Sequence, residues 1–370
     1  METIKTPAKK ISCGSKFRCY SLFAICYSLF FMSGCNRDPQ YYYEEGNRQA
    51  SAGRFADAVE NYNQAIILKK GFPEALTSRG LIYEKTGDRQ KAIFNYKKAI
   101  AAAPAYMPAY NNLSALYLDE GNLHEASKYL TSAIELSPDY AYARLNRGIL
   151  FYRKGDCAAA VSDLSRVIAG SLETPSQAYG SAVPKAHGPQ NGQSSLLQKT
   201  AENTSMILAF YHRGLCYRKT GNFTGALSDF GSLLALDKKF APAWFESGRT
   251  RFSVGDYPGA VNDFYNASGL KTEIYGYQYA LAKALIKLGN YNEALAYADK
   301  ALALKNDYAP ACALKGDIFV LINNKAAARE QYLKAAQLSP ENAAFYRARA
   351  SAFEEERPKH GPKKRRMQKR

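Results

Sequence analysis

Glycine returns along this chain every 34 residues, at Gly53, Gly87, Gly121 and Gly155, and again at Gly221, Gly255 and Gly289 after one interval of 66. Asn323 closes the series, and Asn is the other residue that tolerates a left-handed turn. Self-similarity at this period describes stacked supersecondary units rather than one closed core. Five residues beyond each marker stands an alanine: Ala58, Ala92, Ala126, Ala160, Ala226, Ala260, Ala294 and Ala328. Seven residues before it stands a small side chain: Gly46, Gly80, Ser114, Gly148, Gly214, Gly248, Ala282 or Gly316. This spacing predicts two helices per unit that cross closely, with the two small positions meeting at the crossing. Bulky residues recur at helical spacing before the marker, as in Leu76 with Tyr83, Tyr110 with Tyr117 and Phe210 with Tyr217. After the marker Tyr62, Tyr96, Phe264 and Tyr332 each precede an alanine by three residues, and Phe230 holds the same helix-B position. Pro104, Pro138 and Pro340 end their units, as proline placed just past a helix does. Gln49, Arg144, Arg251 and Gln278 are polar at positions that are otherwise apolar.

These residues resemble the tetratricopeptide repeat pattern, in eight repeats at 39–72, 73–106, 107–140, 141–169, 207–240, 241–274, 275–308 and 309–342. The resemblance implies an all-α, right-handed superhelical solenoid of helix-turn-helix units, each with a first helix A and a second helix B. One hairpin has too little apolar surface to fold alone and depends on its neighbours, and exposed ends need caps. Residues 343–356 continue with helix-A spacing and no helix B, which makes them a capping helix. Between repeats four and five, residues 170–206 are rich in Gly, Pro, Ser and Gln and read as a flexible insertion. Its last part, from about Ser194, has the composition to extend the next helix A backwards.

The net charge of +17 would suggest nucleic acid or a membrane surface if it were spread over the fold. It is concentrated at the ends. Residues 1–34 hold five basic residues and one acid, and 357–370 hold eight basic residues and no acid. Lys5, Lys9, Lys10, Lys16 and Arg18 precede an uncharged run from Cys19 to Gly34, which is the basic-then-apolar order of a secretory signal peptide. Met32-Ser33-Gly34-Cys35 resembles the lipobox of bacterial lipoproteins, with Met where that family usually has Leu. The resemblance implies cleavage after Gly34, acylation of Cys35 and a membrane anchor, with residues 35–38 as a short linker. Cys157, Cys216 and Cys312 then remain in the body without metal-ligand spacing and read as buried small hydrophobes, with a Cys157–Cys216 pair as the alternative because the repeat register puts these two in neighbouring units. The basic tail 357–370 reads as disordered and suited to anionic lipid, with nucleic acid disfavoured by the export signal.

No P-loop, dinucleotide fingerprint, nucleophile elbow or His-Glu-x-x-His motif is present, and the four histidines make no metal spacing. The expectation is a protein that is not an enzyme and uses no cofactor or metal. Members of the resembled family hold peptide or protein segments in a concave groove lined by helices A. Carrying over the family's groove positions selects Tyr142, Tyr152, Arg153, Tyr211, Arg218, Lys219, Phe245, Arg249, Phe252, Tyr279, Lys283 and Lys287. Aromatic and cationic side chains in consecutive repeats favour an acidic or C-terminal peptide segment. Asn112 and Asn146 share the sixth position of helix A and read as capping or surface residues, since Glu44, Ser78, His212 and Glu246 interrupt that series. The leading expectation is a membrane-anchored adaptor or scaffold of the bacterial cell envelope that binds an envelope protein or peptide. The alternative is a transport-associated or small-ligand-binding lipoprotein that uses 170–206 as a lid.

Overall fold

The computed structural model describes residues 38–173 and 193–353. The signal segment, Cys35, the centre of the insertion and the basic tail lie outside the described residues. Seventeen α-helices and no strands occur among the described residues. They form hairpins: α1 (Pro39–Ser51) with α2 (Phe55–Leu68), α3 (Pro73–Lys85) with α4 (Arg89–Ala102), and α5 (Met107–Asp119) with α6 (Leu123–Leu136). The series continues with α7 (Ala141–Lys154) and α8 (Cys157–Glu173), α9 (Gln193–Lys219) and α10 (Phe223–Leu236), and α11 (Ala241–Ser253) and α12 (Tyr257–Leu270). It ends with α13 (Tyr275–Lys287) and α14 (Tyr291–Leu304), α15 (Ala309–Leu321) and α16 (Lys325–Leu338), then α17 (Ala343–Ser351) after a short 3₁₀ turn. Compactness divides the chain into two units that meet at Leu116 and Tyr117, inside α5.

The same local chemistry makes each hairpin. The turn between its helices carries a left-handed residue, such as Gly155 at φ 85°, and Asn323 supplies the same conformation at φ 59° without being glycine. One residue later an Asp or Asn caps helix B in most hairpins: Asp88 accepts from the Lys91 N–H, Asn222 from Gly225 and Asn324 from Ala327, whereas Arg54 and Asn290 make no such bond. The helices then pack through one fully buried side chain per hairpin. The glycine of helix A makes room for the bulky side chain four residues beyond the recurrent alanine of helix B, a ring in five hairpins and Leu164 in the fourth. A Cβ added to Gly46 would lie 2.5 Å from the Tyr62 ring, and one added to Gly214 would lie 2.8 Å from Phe230. Tyr62, Tyr96, Phe230, Phe264 and Tyr332 are accordingly the largest side chains wholly removed from water.

A polar seam accompanies this core. In unit one Arg79 donates to Asn95 of its own hairpin at 2.9 Å and to Asn63 of the preceding one at 2.6 Å. In unit two Arg213 grips buried Asp229 through two bonds of 2.8 and 2.7 Å and reaches back to Ser165 at 2.9 Å. Lys315 reaches back to Asp299 at 2.6 Å. Arg147 holds Asp163 in the same two-pronged way, at 2.6 and 2.9 Å. The unusual polar residues belong to this chemistry: Arg144 donates to Pro138 O and Asp163, and Arg251 pairs with Asp256 and Asp263.

Two boundaries differ from the sequence reading. The insertion is helical at both ends, because α8 runs to Glu173 and α9 begins at Gln193, close to the predicted Ser194. The terminal cap α17 ends at Ser351, packed on α16 through Tyr346 and Ala350.

Candidate functional site

The helices A of unit two gather aromatic and charged side chains around one buried carboxylate. Glu246, in the first half of α11, is 8% exposed. Arg218 from the last turn of α9 places Nε 2.9 Å from Glu246 Oε2, and Arg249, one turn along α11, donates to Glu246 Oε1 at 3.0 Å. The Arg218 contact is an ion pair whose angle does not make a hydrogen bond. The charge of Glu246 is also felt by three tyrosines, Tyr152 of α7, Tyr211 of α9 and Tyr277 of α13. Burial raises the pKa of each, and the charge of Glu246 raises it further; Tyr211 is pushed up to about 12.

His212 lies beside this group, with its ring 5.3 Å from the Tyr152 ring. Its Nδ1 is buried without a hydrogen-bond partner. Burial, helped by the positive charge of Arg153, lowers its pKa from 6.5 to about 4, so the imidazole is neutral near pH 7. Arg153 is itself exposed and donates to the Leu118 carbonyl.

Toward α13 the cations lie over rings. The Arg249 guanidinium is 5.7 Å from the Phe245 centroid, Lys283 Nζ is 5.4 Å from Phe252, and Lys287 Nζ is 6.0 Å from Tyr257. Phe245 in turn packs on Tyr277 at 4.6 Å. Lys219, Arg249, Lys283 and Lys287 remain exposed. The result is a half-buried aromatic shelf carrying exposed cations, with one internal carboxylate already held by two arginines.

The helical hairpins with buried rings under small residues agree with what comparison of the sequence shows. The TPR repeat pattern matches residues 46–87 and 115–155, and tetratricopeptide repeat patterns match 73–106, 208–238 and 279–343. The chain is a tetratricopeptide repeat protein. Over 122 residues it is 34% identical to human Superkiller complex protein 3, a match to 33% of this chain and 8% of that protein. The mouse counterpart is 30% identical over 118 residues, 32% of this chain and again 8% of the relative. The match thus spans about a twelfth of the length of these relatives. Among solved structures, the Cut9-Hcn1 hetero-tetramer of APC/C aligns with a TM-score of 0.51 at 16% identity, covering 92% of this chain and 60% of that one. PilF of Pseudomonas aeruginosa aligns at 0.50 and 15% identity, covering 67% and 97%. PilW, a type IV pilus biogenesis factor, aligns at 0.50 and 20%, covering 64% and 94%. These likenesses concern the fold.

Of the twelve positions carried over from the repeat pattern, the structure of this tetratricopeptide repeat protein brings Tyr152, Tyr211, Arg218, Phe245 and Arg249 together around Glu246. Arg153 joins them through His212, and Lys283 through its place over Phe252. Tyr142 packs instead against Tyr140, with ring centroids 5.9 Å apart and planes tilted by 59°. Tyr279 belongs to a separate group with Tyr308, at 5.3 Å. Lys219 and Lys287 lie at the C-terminal ends of α9 and α13. Glu246, His212 and Tyr277 were not among the sequence candidates. The signal was present for two of them, since both occupy the sixth helix-A position, where they displaced the Asn series. Among the described residues no group of three His, Cys, Asp or Glu side chains could hold a metal ion, and no helix is long and apolar enough to cross a membrane.

Proposed function

We propose that this tetratricopeptide repeat protein is an adaptor that binds an acidic segment of a partner protein on the helix-A face of α7, α9, α11 and α13. The observation that carries the reading is the capture of Glu246 by Arg218 and Arg249 against a tyrosine and phenylalanine shelf. The chain's own carboxylate on this surface supports an acidic ligand, and the exposed Lys219, Arg249, Lys283 and Lys287 would offer the same chemistry to a second molecule. Rigid aromatic area provides contact at modest entropic cost.

The proposal includes a location. Acylation of Cys35 holds the adaptor at a membrane of the bacterial cell envelope. Only Asn36, Arg37 and Asp38 separate Cys35 from Pro39, so the first repeat stands within roughly 15 Å of its anchor.

The test is crosslinked affinity capture from intact cells, comparing the native chain with a Lys219→Glu, Lys283→Glu, Lys287→Glu variant. These side chains are exposed and leave the Glu246 ion pairs in place. Loss of a specific partner in a variant with unchanged circular dichroism supports the adaptor; an unchanged partner list overturns it. Labelling with an alkyne fatty acid tests the anchor independently, since Cys35→Ala must abolish incorporation.

A further inference from the structure

Cys157 opens α8 and Cys216 lies in the last turn of α9, on opposite sides of the insertion. Both pack into one apolar cluster with Leu145, Leu164 and Ala209. Cys216 is fully buried and Cys157 is 6% exposed. Both are free thiols within this one cluster. Beside them the two helices also approach, since a Cβ added to Gly155 would sit 3.4 Å from the Lys219 side-chain Nζ. The third described thiol, Cys312, belongs to a different cluster, beside Ala309 and Ala335.

We propose that Cys157 and Cys216 are a redox pair, which an oxidant of the disulfide class converts into an intramolecular disulfide tying α8 to α9. Folding has already brought the two cysteines into one buried cluster between packed helices, so the disulfide would join elements that are neighbours before oxidation. The Cys157 thiolate attacks one sulfur of the oxidant R–S–S–R. That bond breaks, RS⁻ leaves, and Cys157 carries a mixed disulfide. Cys216 then gives its proton to solvent and attacks the Cys157 sulfur, forming the Cys157–Cys216 bond and releasing the second RS⁻. Two electrons pass to the oxidant, which is reduced to two thiols. The order follows from access: Cys157 alone has exposure, whereas burial and the neighbouring Cys157 push the Cys216 thiol up to about 12 and keep it protonated until the mixed disulfide reaches it. The bond would hold the α8–α9 contact covalently across the inserted stretch, which otherwise leaves this neighbouring pair of repeats joined by the longest connection in the array.

The experiment is disulfide mapping of the full chain. One sample is treated in its native state with excess oxidised glutathione, and a second is refolded from denaturant in a glutathione redox buffer. After acid quenching and alkylation, trypsin cleavage at Lys154, Arg166, Arg213 and Arg218 isolates the two cysteines in peptides 155–166 and 214–218. The expected product is a linked pair about 2 Da lighter than the sum of the reduced peptides, with Cys312 recovered alkylated. Oxidised protein should also melt at a higher temperature than reduced protein, and Cys157→Ser should erase that difference. Recovery of Cys157 and Cys216 as alkylated thiols or separate glutathione adducts after refolding overturns the proposal, as does linkage of either to Cys312. The mapping needs no variant, so a folding defect in Cys157→Ser would leave it decisive.

Discussion

Arg218 and Glu246, on different repeats, approach to 2.9 Å at the centre of the helix-A face. Glu246 therefore offsets part of the positive charge that would otherwise be offered to a partner. Replacing Glu246 with Gln keeps the side-chain shape and frees both arginines. A glutamate-rich peptide should bind Glu246→Gln roughly 3- to 10-fold more tightly than the native protein at low ionic strength. The gain should fade at about 1 M salt, where exposed charges are screened within a few ångströms. Calorimetric titration at both salt concentrations measures it; equal affinity at low salt would separate this face from acidic ligands.

His212 predicts the direction of one pH effect. Its folded-state pKa, about 4, lies below the 6.5 of an unfolded chain, so between these values the unfolded state binds more protons. Stability contributed by the neutral imidazole is complete above pH 6.5 and is lost progressively as pH falls toward 4, by at most ~3 kcal/mol. His212→Gln should flatten that part of the stability profile, measured by thermal melts from pH 7.5 down to about pH 4. An unchanged slope would mean that other groups produce it.

The seam gives a third expectation. Asp229 is 2% exposed and owes its partners to Arg213. Arg213→Met leaves that carboxylate buried without its cation and should destabilise the α9–α10 hairpin by about 3 kcal/mol. Hydrogen exchange would show the loss confined to α9, α10 and their neighbours. Adding Asp229→Leu should recover part of it, because removing both members relieves the unpaired charge.

Two glycines of α9 and α10 make a paired test of packing. Gly214→Ala drives a methyl to 2.8 Å from the Phe230 ring and should cost about 1–3 kcal/mol. Gly231→Ala, with nothing within 4 Å of the new Cβ, should be neutral or stabilise by up to ~1 kcal/mol. Denaturant melts of the two variants should move in opposite directions.

The frame of the array was legible because turn chemistry is local: a left-handed residue followed by an Asp or Asn cap writes itself into consecutive positions, even where Asn323 replaces glycine. Contacts between helices were harder to read. Gly46 and Ala58 are both small, yet the first accommodates the Tyr62 ring, since the direction of each Cα–Cβ bond decides what a small residue faces. Arg213 and Asp229 are 16 residues apart, a separation with no meaning until two helices are folded together. At the candidate site the aromatic and cationic residues followed from repeat position. The capture of Arg218 and Arg249 by Glu246 did not, because it joins helices of different repeats and depends on their packing. The helical ends of the insertion illustrate a further point: its Gly and Pro residues lie mainly between Pro175 and Gly192, whereas Gln193 onward has ordinary helix-forming composition.

The seam is also unevenly stitched. Arg213 and Lys315 tie their helices back to the preceding hairpin by directional bonds, but the equivalent positions of α11 and α13 hold Ser247, which donates to Asp263 of its own repeat, and Leu281. There the ties between neighbouring repeats lie elsewhere on helix A: Arg218 pairs with Glu246, Gln278 donates to the Thr272 carbonyl, and Phe245 packs on Tyr277. Under tension or torsion this stretch should therefore resist through those few contacts rather than through the seam. Because the Arg218–Glu246 pair is one of them, deformation of this stretch and the grip of its charged face would draw on the same side chains.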